Sequence, residues 1–386
     1  MIKLLRDDRF WKIAGQAIAL ILVIVVFAIL WDNLSANYAQ LGIAFGFDFL
    51  NSQASFGIGE TVIPYSPDNS YRQAYFVGLV NSLRVMAIGI VLATFAGFTV
   101  GISRLWDNWL LRNLAALYVE ILRNSPLLLQ LFFWYFAVFI SLPKLEENPE
   151  ISGPIYLTNR GIAVPWPAAL PGWEIWLILL AIGFLGAALL WQWRARVMLE
   201  QAKPGRQLFW AVGAIVLSAI LAFIITRNLP LRLDIPRLTP ELQLEGGLKL
   251  TPEFAALITG LSLYTGSYIA EIVRAGIQSV PKGQLEAAKS LGLKSGIAMR
   301  LVILPQALRV IIPPLTSQYL NLAKNSSLAA AIGYPDVYFV VASPTLNQTG
   351  RAIEAMLIIM ATYLTISLII SLFMNLYNQT VQLKER

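Results

Sequence analysis

The feature that most limits what this chain can fold into is the recurrence of apolar runs about twenty residues long. The first, "IAGQAIALILVIVVFAILW" from Ile13 to Trp31, holds no charged residue. A helix rises about 1.5 Å per residue, so about 20 residues cross the hydrocarbon of a bilayer while satisfying their own backbone groups. Run length and flanking charge predict eight spans. They are Ile13 to Trp31, Tyr75 to Ile102, Leu117 to Ile140, Trp173 to Trp193, Leu208 to Thr226, Pro252 to Val280, a segment after Pro305, and Ala355 to Leu376. Composition agrees: 57% of residues are hydrophobic and 13% charged, against about a quarter charged in soluble domains.

The chain has no cysteine and no histidine. That excludes disulfides, Cys/His zinc sites, cysteine nucleophiles and histidine acid–base chemistry. The net charge of +7 reads as an excess of bases on cytoplasmic loops rather than as a nucleic-acid surface. Bases cluster at the N-terminus, at Arg104 and Arg112, in "RARVMLEQAKPGR", around Lys282 to Arg300, and at Lys384 and Arg386. Both ends are therefore expected in the cytoplasm, with residues 32–74 and 142–172 outside. Segment 227–252 strains this assignment, because Arg227, Arg232, Arg237 and Lys249 then lie outside. The first apolar run is longer than a secretory h-region and lacks a clean small-x-small site behind it, so it reads as a retained span.

Outer segments such as "IPYSPDNSY" and "AVPWPAALPGW" are dense in turn formers and read as ordered caps. Thr251, Pro252 and Glu253 form a helix start before the sixth span. Pro313 and Pro314 predict a break in the seventh, tolerated in a membrane where protein or water satisfies the freed groups. Charges within spans are functional candidates by default: Glu120 with Arg123, Glu271 with Arg274, Arg84 with no neighbour, and Lys324. Each pair can equally neutralise itself at helical spacing.

Residues 281–305 are different in kind. No run there can span, and five charges are spread through it. "PKGQLEAAKSLG" reads as a short helix ended by Gly292, small-surfaced enough to fit a groove on another protein, or else an amphipathic helix on the membrane. The stretch Glu286-Ala287-Ala288, Gly292, then Val302, Leu304 and Pro305 resembles the EAA motif, E-A-A-x3-G-x9-I-x-L-P, of ATP-binding-cassette importer permeases. Val302 stands where the motif has Ile. "YVEILRNSPLLLQLFFWYF" (118–136), "GSYIAEIVRAGIQSVPKGQLEAAKSLGL" (266–293) and "LPQALRVIIPPLTSQYLNLAKNSSLAAAIG" (304–333) are similar to permeases of the polar amino-acid uptake family. Residues 46–85 resemble the longer permeases of its general L-amino-acid branch.

The resemblance implies an all-α membrane protein with a five-helix type I importer core, an N-terminal helix, and an inserted helix pair within 142–250. It also implies partners. These are two cytoplasmic ATPase subunits, a second permease (in this branch a distinct homologous chain), and a periplasmic amino-acid-binding protein, all at the inner membrane. Glu286, Ala287, Ala288 and Gly292 would couple to the ATPase. The chain has no G-x4-G-K-[ST] loop, so it is expected to bind no cofactor itself, with ATP–Mg on the partner. An amino-acid zwitterion needs donors and acceptors together, which helix breaks supply, here expected at "RNSP" (123–126) and "AKNSSL" (323–328). The expected substrate-path residues are Asn124, Ser125, Gln130, Glu271, Lys324, Asn325 and Ser326. Competing readings are a self-contained channel or secondary transporter, which leaves the 286–305 pattern without a purpose, and a membrane enzyme, which lacks an acidic metal cluster.

Overall fold

The computed structural model describes residues 8–40, 42, 45–144, 154–201, 206–239 and 244–381. Its helices are α1 (Asp8–Gln40), α2 (Tyr71–Ser103), α3 (Trp109–Asn124), α4 (Leu127–Phe132), α5 (Trp173–Gln201), α6 (Gln207–Thr226), α7 (Pro252–Gln278), α8 (Lys282–Ser290), α9 (Ser295–Ala298), α10 (Leu304–Asn325), α11 (Val337–Val340), α12 (Leu346–Thr349) and α13 (Ala352–Val381). Among the described residues seven helical stretches are long and apolar enough to cross a membrane, and a bent pair, Trp109–Asn124 with Leu127–Phe139, passes the same test when taken together. The described residues up to Leu128 and from Gly260 onward form one compact unit, and Leu129–Thr259 form a second.

In the first unit the helices approach through small residues. A Cβ on Gly101 of α2 would lie 2.7 Å from the Ala270 carbonyl oxygen, and one on Gly97 would overlap Ile269 of α7. Gly276 stands in the same relation to Ile311 of α10. Lipid is as apolar as leucine, so close backbone approach and dispersion, rather than escape from water, hold such helices together. Met86, Ala93, Ile269, Val273, Ile311, Leu315, Leu322 and Ile366 form the core they enclose. Gly78 gives α11 the same access to α2, because a Cβ there would lie 2.9 Å from the Val337 Cα.

Two expectations are revised here, and one is met. The third span is interrupted at the expected "RNSP" break: α3 ends at Asn124, and helix resumes in α4 and continues, wound wide, over Phe133–Phe139. The cause is Pro126, which drives Ser125 to φ −110°, ψ 140°, outside the helical region. The predicted break at Pro313 and Pro314 is absent, and α10 runs through both. Proline's fixed φ is already helical, so the cost falls on two lost N–H donors; the buried neighbours Ile311, Ile312 and Leu315 hold the turn in place. The helix tightens only at Ser326–Ile332, into a 3-10 segment ended by Gly333 at φ +78°. Arg84 is not alone either. Residues 45–70 fold back along α2, where the Asn81 amide donates to the Glu60 carbonyl (2.9 Å) and the Glu60 carboxylate pairs with Arg84.

The second unit is built on the antiparallel hairpin of α5 and α6. A Cβ on Gly183 would overlap Ser218, and Trp176 Nε1 donates to Thr226 Oγ1 and to the Asn228 carbonyl, both at 3.1 Å. The expectation of helices alone is incomplete. Among the described residues seven short strands lie between the spans: β1 (Tyr156–Thr158), β2 (Gly161–Val164), β3 (Trp166–Ala169), β4 (Leu231–Asp234), β5 (Arg237–Leu238), β6 (Leu244–Glu245) and β7 (Leu248–Leu250). They pair antiparallel as β1-β2-β7, β3-β4 and β5-β6. Pairing gives these Pro-rich connections partners for backbone groups that would otherwise be left unmatched near lipid.

Candidate functional site

Two places in the first unit concentrate chemistry. One is a polar cavity of about 380 Å³ lined by Arg104, Val119, Glu120, Arg123, Asn124, Tyr268 and Glu271. Arg104 ends α2, the Glu120 to Asn124 turn closes α3, and Tyr268 and Glu271 lie one turn apart on α7. Glu271 pairs with Arg104 and with Arg274 on its own helix. The Arg123 guanidinium lies 5.0 Å over the Tyr268 ring, and the Tyr268 hydroxyl donates to the Arg123 carbonyl at 3.5 Å. A cation over an aromatic face keeps its plane fixed while its N–H edge stays available. No ion pair joins Glu120 to Arg123 among the described residues, so the helical spacing that allows neutralisation is not used. The cavity therefore presents two guanidinium and two carboxylate groups with an amide beside them, a set able to meet both ends of a zwitterion.

The second place is α8. Glu286 and Ala287 are exposed, while Ala288 is 3% exposed and faces inward. The helix ends by a Schellman arrangement: the Gly292 N–H donates to the Lys289 carbonyl (2.9 Å) and the Leu293 N–H to the Ala288 carbonyl (3.1 Å), with Gly292 at φ +77°. Only glycine takes that conformation at little cost. Next to it Leu291 is 81% exposed, an apolar side chain held out from a rigid turn. The Gln306 amide donates to Gln284 Oε1 at 3.4 Å and ties α8 to the start of α10.

Of the residues expected on the substrate path, Asn124 and Glu271 line the cavity. Ser125 caps its own helix by donating to the Ile121 carbonyl at 2.8 Å. Gln130 is buried in the second unit. Lys324 is exposed at the end of α10, Asn325 is half-buried, and Ser326 is buried and donates to the Ala323 carbonyl at 2.8 Å. The cavity lining thus takes Asn124 from the first break and no residue from the second. Arg104 and Tyr268 were missed because nothing local marks them. Glu120 and Arg123 were visible as in-span charges, but their membership of the cavity depends on α7.

A further buried acid, Asp336, is 1% exposed. Its Oδ1 accepts from the Phe339 N–H (2.7 Å) and its Oδ2 from the Tyr363 hydroxyl (3.0 Å), while the Val337 N–H donates to Ser82 Oγ (3.0 Å). These bonds join α2, α11 and α13. Burial pushes the Asp336 carboxyl up to about 7, against the pull of its hydrogen bonds.

The chain is similar to known proteins along most of its length. The family described as "Binding-protein-dependent transport system inner membrane component" matches residues 204–383. The general L-amino acid transport system permease protein AapQ of Rhizobium johnstonii is 44% identical over 98% of this chain and 94% of its own length. The glutamate/glutamine/aspartate/asparagine transport system permease protein BztB of Rhodobacter capsulatus is 40% identical over 99% and 96%. The glutamate/aspartate import permease protein GltJ of Escherichia coli K12 is 39% identical over 41% of this chain and 68% of its own. With two relatives similar along almost their full length, the chain belongs to the amino-acid ABC transporter permeases, inner membrane components of binding-protein-dependent transport systems.

Proposed function

We propose that this permease imports L-amino acids across the inner membrane, driven by ATP hydrolysed on partner subunits that seat α8, with both its ends in the cytoplasm. The observation that carries the reading is α8 itself: a short, exposed, small-surfaced helix clamped by Ala288 at its back and Gly292 at its end, with Leu291 held outward. Such a helix transmits force only if something grips it. The likeness to importer permeases supplies the partner class, a pair of cytoplasmic ATPases holding ATP–Mg, so this chain needs no cofactor of its own. A second permease chain, distinct but homologous, and a periplasmic binding protein complete the assembly.

In the cavity, Arg123 and Asn124 would take the substrate carboxylate and Glu120 its ammonium. Glu271, already neutralised by Arg104 and Arg274, would keep the balance of charge and position Arg104. A lining with equal numbers of acids and bases suits a neutral zwitterion better than a net-charged solute. The breadth of substrates in the relatives' names supports recognition of the shared α-amino acid group over any one side chain.

The test is uptake of labelled amino acids into proteoliposomes holding the whole complex, with the binding protein and ATP on their proper sides. Arg123→Gln should abolish uptake, by at least about tenfold if a charge-assisted hydrogen bond pair is lost, while the ATPase still co-purifies. Unchanged uptake would remove the cavity from the path. Uptake by the chain alone without ATP would overturn the function.

A further inference from the structure

Three of the four bases that strain the charge assignment, Arg227, Arg232 and Arg237, lie on and around one two-stranded ribbon at the end of the α5–α6 hairpin. Strands β3 and β4 pair in the register Trp166 to Asp234 and Ala169 to Leu231, and the Leu170 N–H continues the ladder to the Pro230 carbonyl at 3.1 Å. The ribbon starts within five residues of Thr226, the end of α6, and of Trp173, the start of α5. It therefore leaves the hairpin where the apolar spans stop.

Cross-strand partners share a face, so Leu231, Leu233, Pro167 and Ala169 form one side of the ribbon, wholly apolar, while Arg232 and Asp234 share the other with Ala168 and Trp166. All four residues of the apolar side are exposed, Leu231 by 49% and Leu233 by 60%. Leu229 and Ile235 extend the odd-numbered series at its ends and are also exposed. Among the described residues of this unit, none covers the face. The last turns of α6, from which the ribbon departs, are apolar and exposed as well, at Phe223, Ile224 and Ile225. Arg227 stands at the junction, exposed and fixed in a left-handed turn at φ +53°.

We propose that the apolar face of the β3–β4 ribbon lies on the bilayer at this end of the hairpin, with Arg227 binding the phosphate of an anionic phospholipid headgroup. Leu229, Leu231, Leu233 and Ile235 enter the boundary between headgroups and acyl chains, where an apolar strand face is covered as it would be in a core. A guanidinium at that depth meets phosphate oxygens bidentately. Arg232 points to the opposite face, and Arg237 sits across from Glu245 in the β5–β6 pair, so neither needs a lipid. The inference requires only that α5 and α6 span the membrane; it holds on either side of it and does not depend on the substrate cavity.

The absence of cysteine makes the test direct. The full chain carrying Leu233→Cys or Arg232→Cys is spin-labelled and reconstituted into vesicles of phosphatidylcholine with one-third phosphatidylglycerol, and collision with oxygen is compared with collision with a water-soluble nickel chelate. The label at 233 is expected to favour oxygen several-fold over the label at 232, and Leu231→Cys should repeat the result at 233. Adding Arg227→Gln should lower the 233 ratio about twofold in these vesicles and leave it unchanged in phosphatidylcholine alone. Equal nickel access at both positions, or shielding at 233 that requires added soluble binding protein, would overturn the proposal. No effect of Arg227→Gln in the anionic vesicles would overturn the headgroup assignment.

Discussion

Helices α6 and α7 are both membrane spans, yet they are built on opposite principles. The most apolar stretch of α6 has a mean hydropathy of 2.7 and only 11% of it is buried in the protein; for α7 the values are 1.3 and 67%. In a soluble protein the greasier helix would be the buried one. Here the solvent is lipid, so a helix wrapped by protein can afford Ser262, Thr265 and Ser267, all buried, along with Glu271. Low hydropathy in a span thus goes with burial in protein, and high hydropathy with an exposed surface left for lipid.

Glycine gives the sharpest way to break that contrast. Gly97→Leu forces α2 away from Ile269 of α7 and should cost about 3 kcal/mol or more, read as loss of folded chain in detergent. Its counterpart Gly213→Leu in α6, with open space around the Cβ position, should change stability by less than about 0.5 kcal/mol. Equal losses at both sites would mean that α6 is gripped by protein after all.

The next largest effect is expected at Asp336. Its carboxyl holds its proton up to about 7 when folded, against about 3.9 when unfolded. The folded state then binds more protons over that interval, so stability is greatest at the acid end and falls as pH rises from about 4 to about 7, by a few kcal/mol in all. Asp336→Asn keeps an acceptor for the Phe339 N–H and should flatten this slope in thermal unfolding. A slope that persists in the Asn variant would assign it to another group.

Glu271→Gln leaves Arg104 and Arg274 without their carboxylate and should cost about 2 kcal/mol. Trp176→Phe removes one indole N–H from the α5–α6 turn and should cost about 1 kcal/mol. If the second loss exceeds the first, the α5–α6 hairpin, not the packing of α2 on α7, is the more tightly determined region.

Much of this was legible in the sequence, and the pattern of what was not follows from range. Span positions, the Thr251 cap that accepts from the Phe254 N–H at 3.2 Å, and the turn at Gly292 depend on neighbours within a few residues. The break at "RNSP" was readable because Pro126 acts on the residue beside it. The Glu60–Arg84 pair was not, since it joins residues 24 apart through a folded-back segment. The cavity was half legible: Asn124 and Glu271 were singled out, but Arg104 and Tyr268 join them only through packing of α2, α3 and α7. Proline was over-read in α10, where dense tertiary packing outweighs the loss of two donors.

The most direct test of the account is purification of the tagged chain in mild detergent, asking whether a phosphate-loop ATPase comes with it and whether α8 is the reason. The account predicts that the ATPase is recovered with the native chain. It is lost when Leu291→Ala is combined with Gly292→Val, changes that leave the buried Ala288 and the membrane core untouched. Recovery of the ATPase in equal amount with that variant, or of the native chain alone still transporting without ATP, would contradict it.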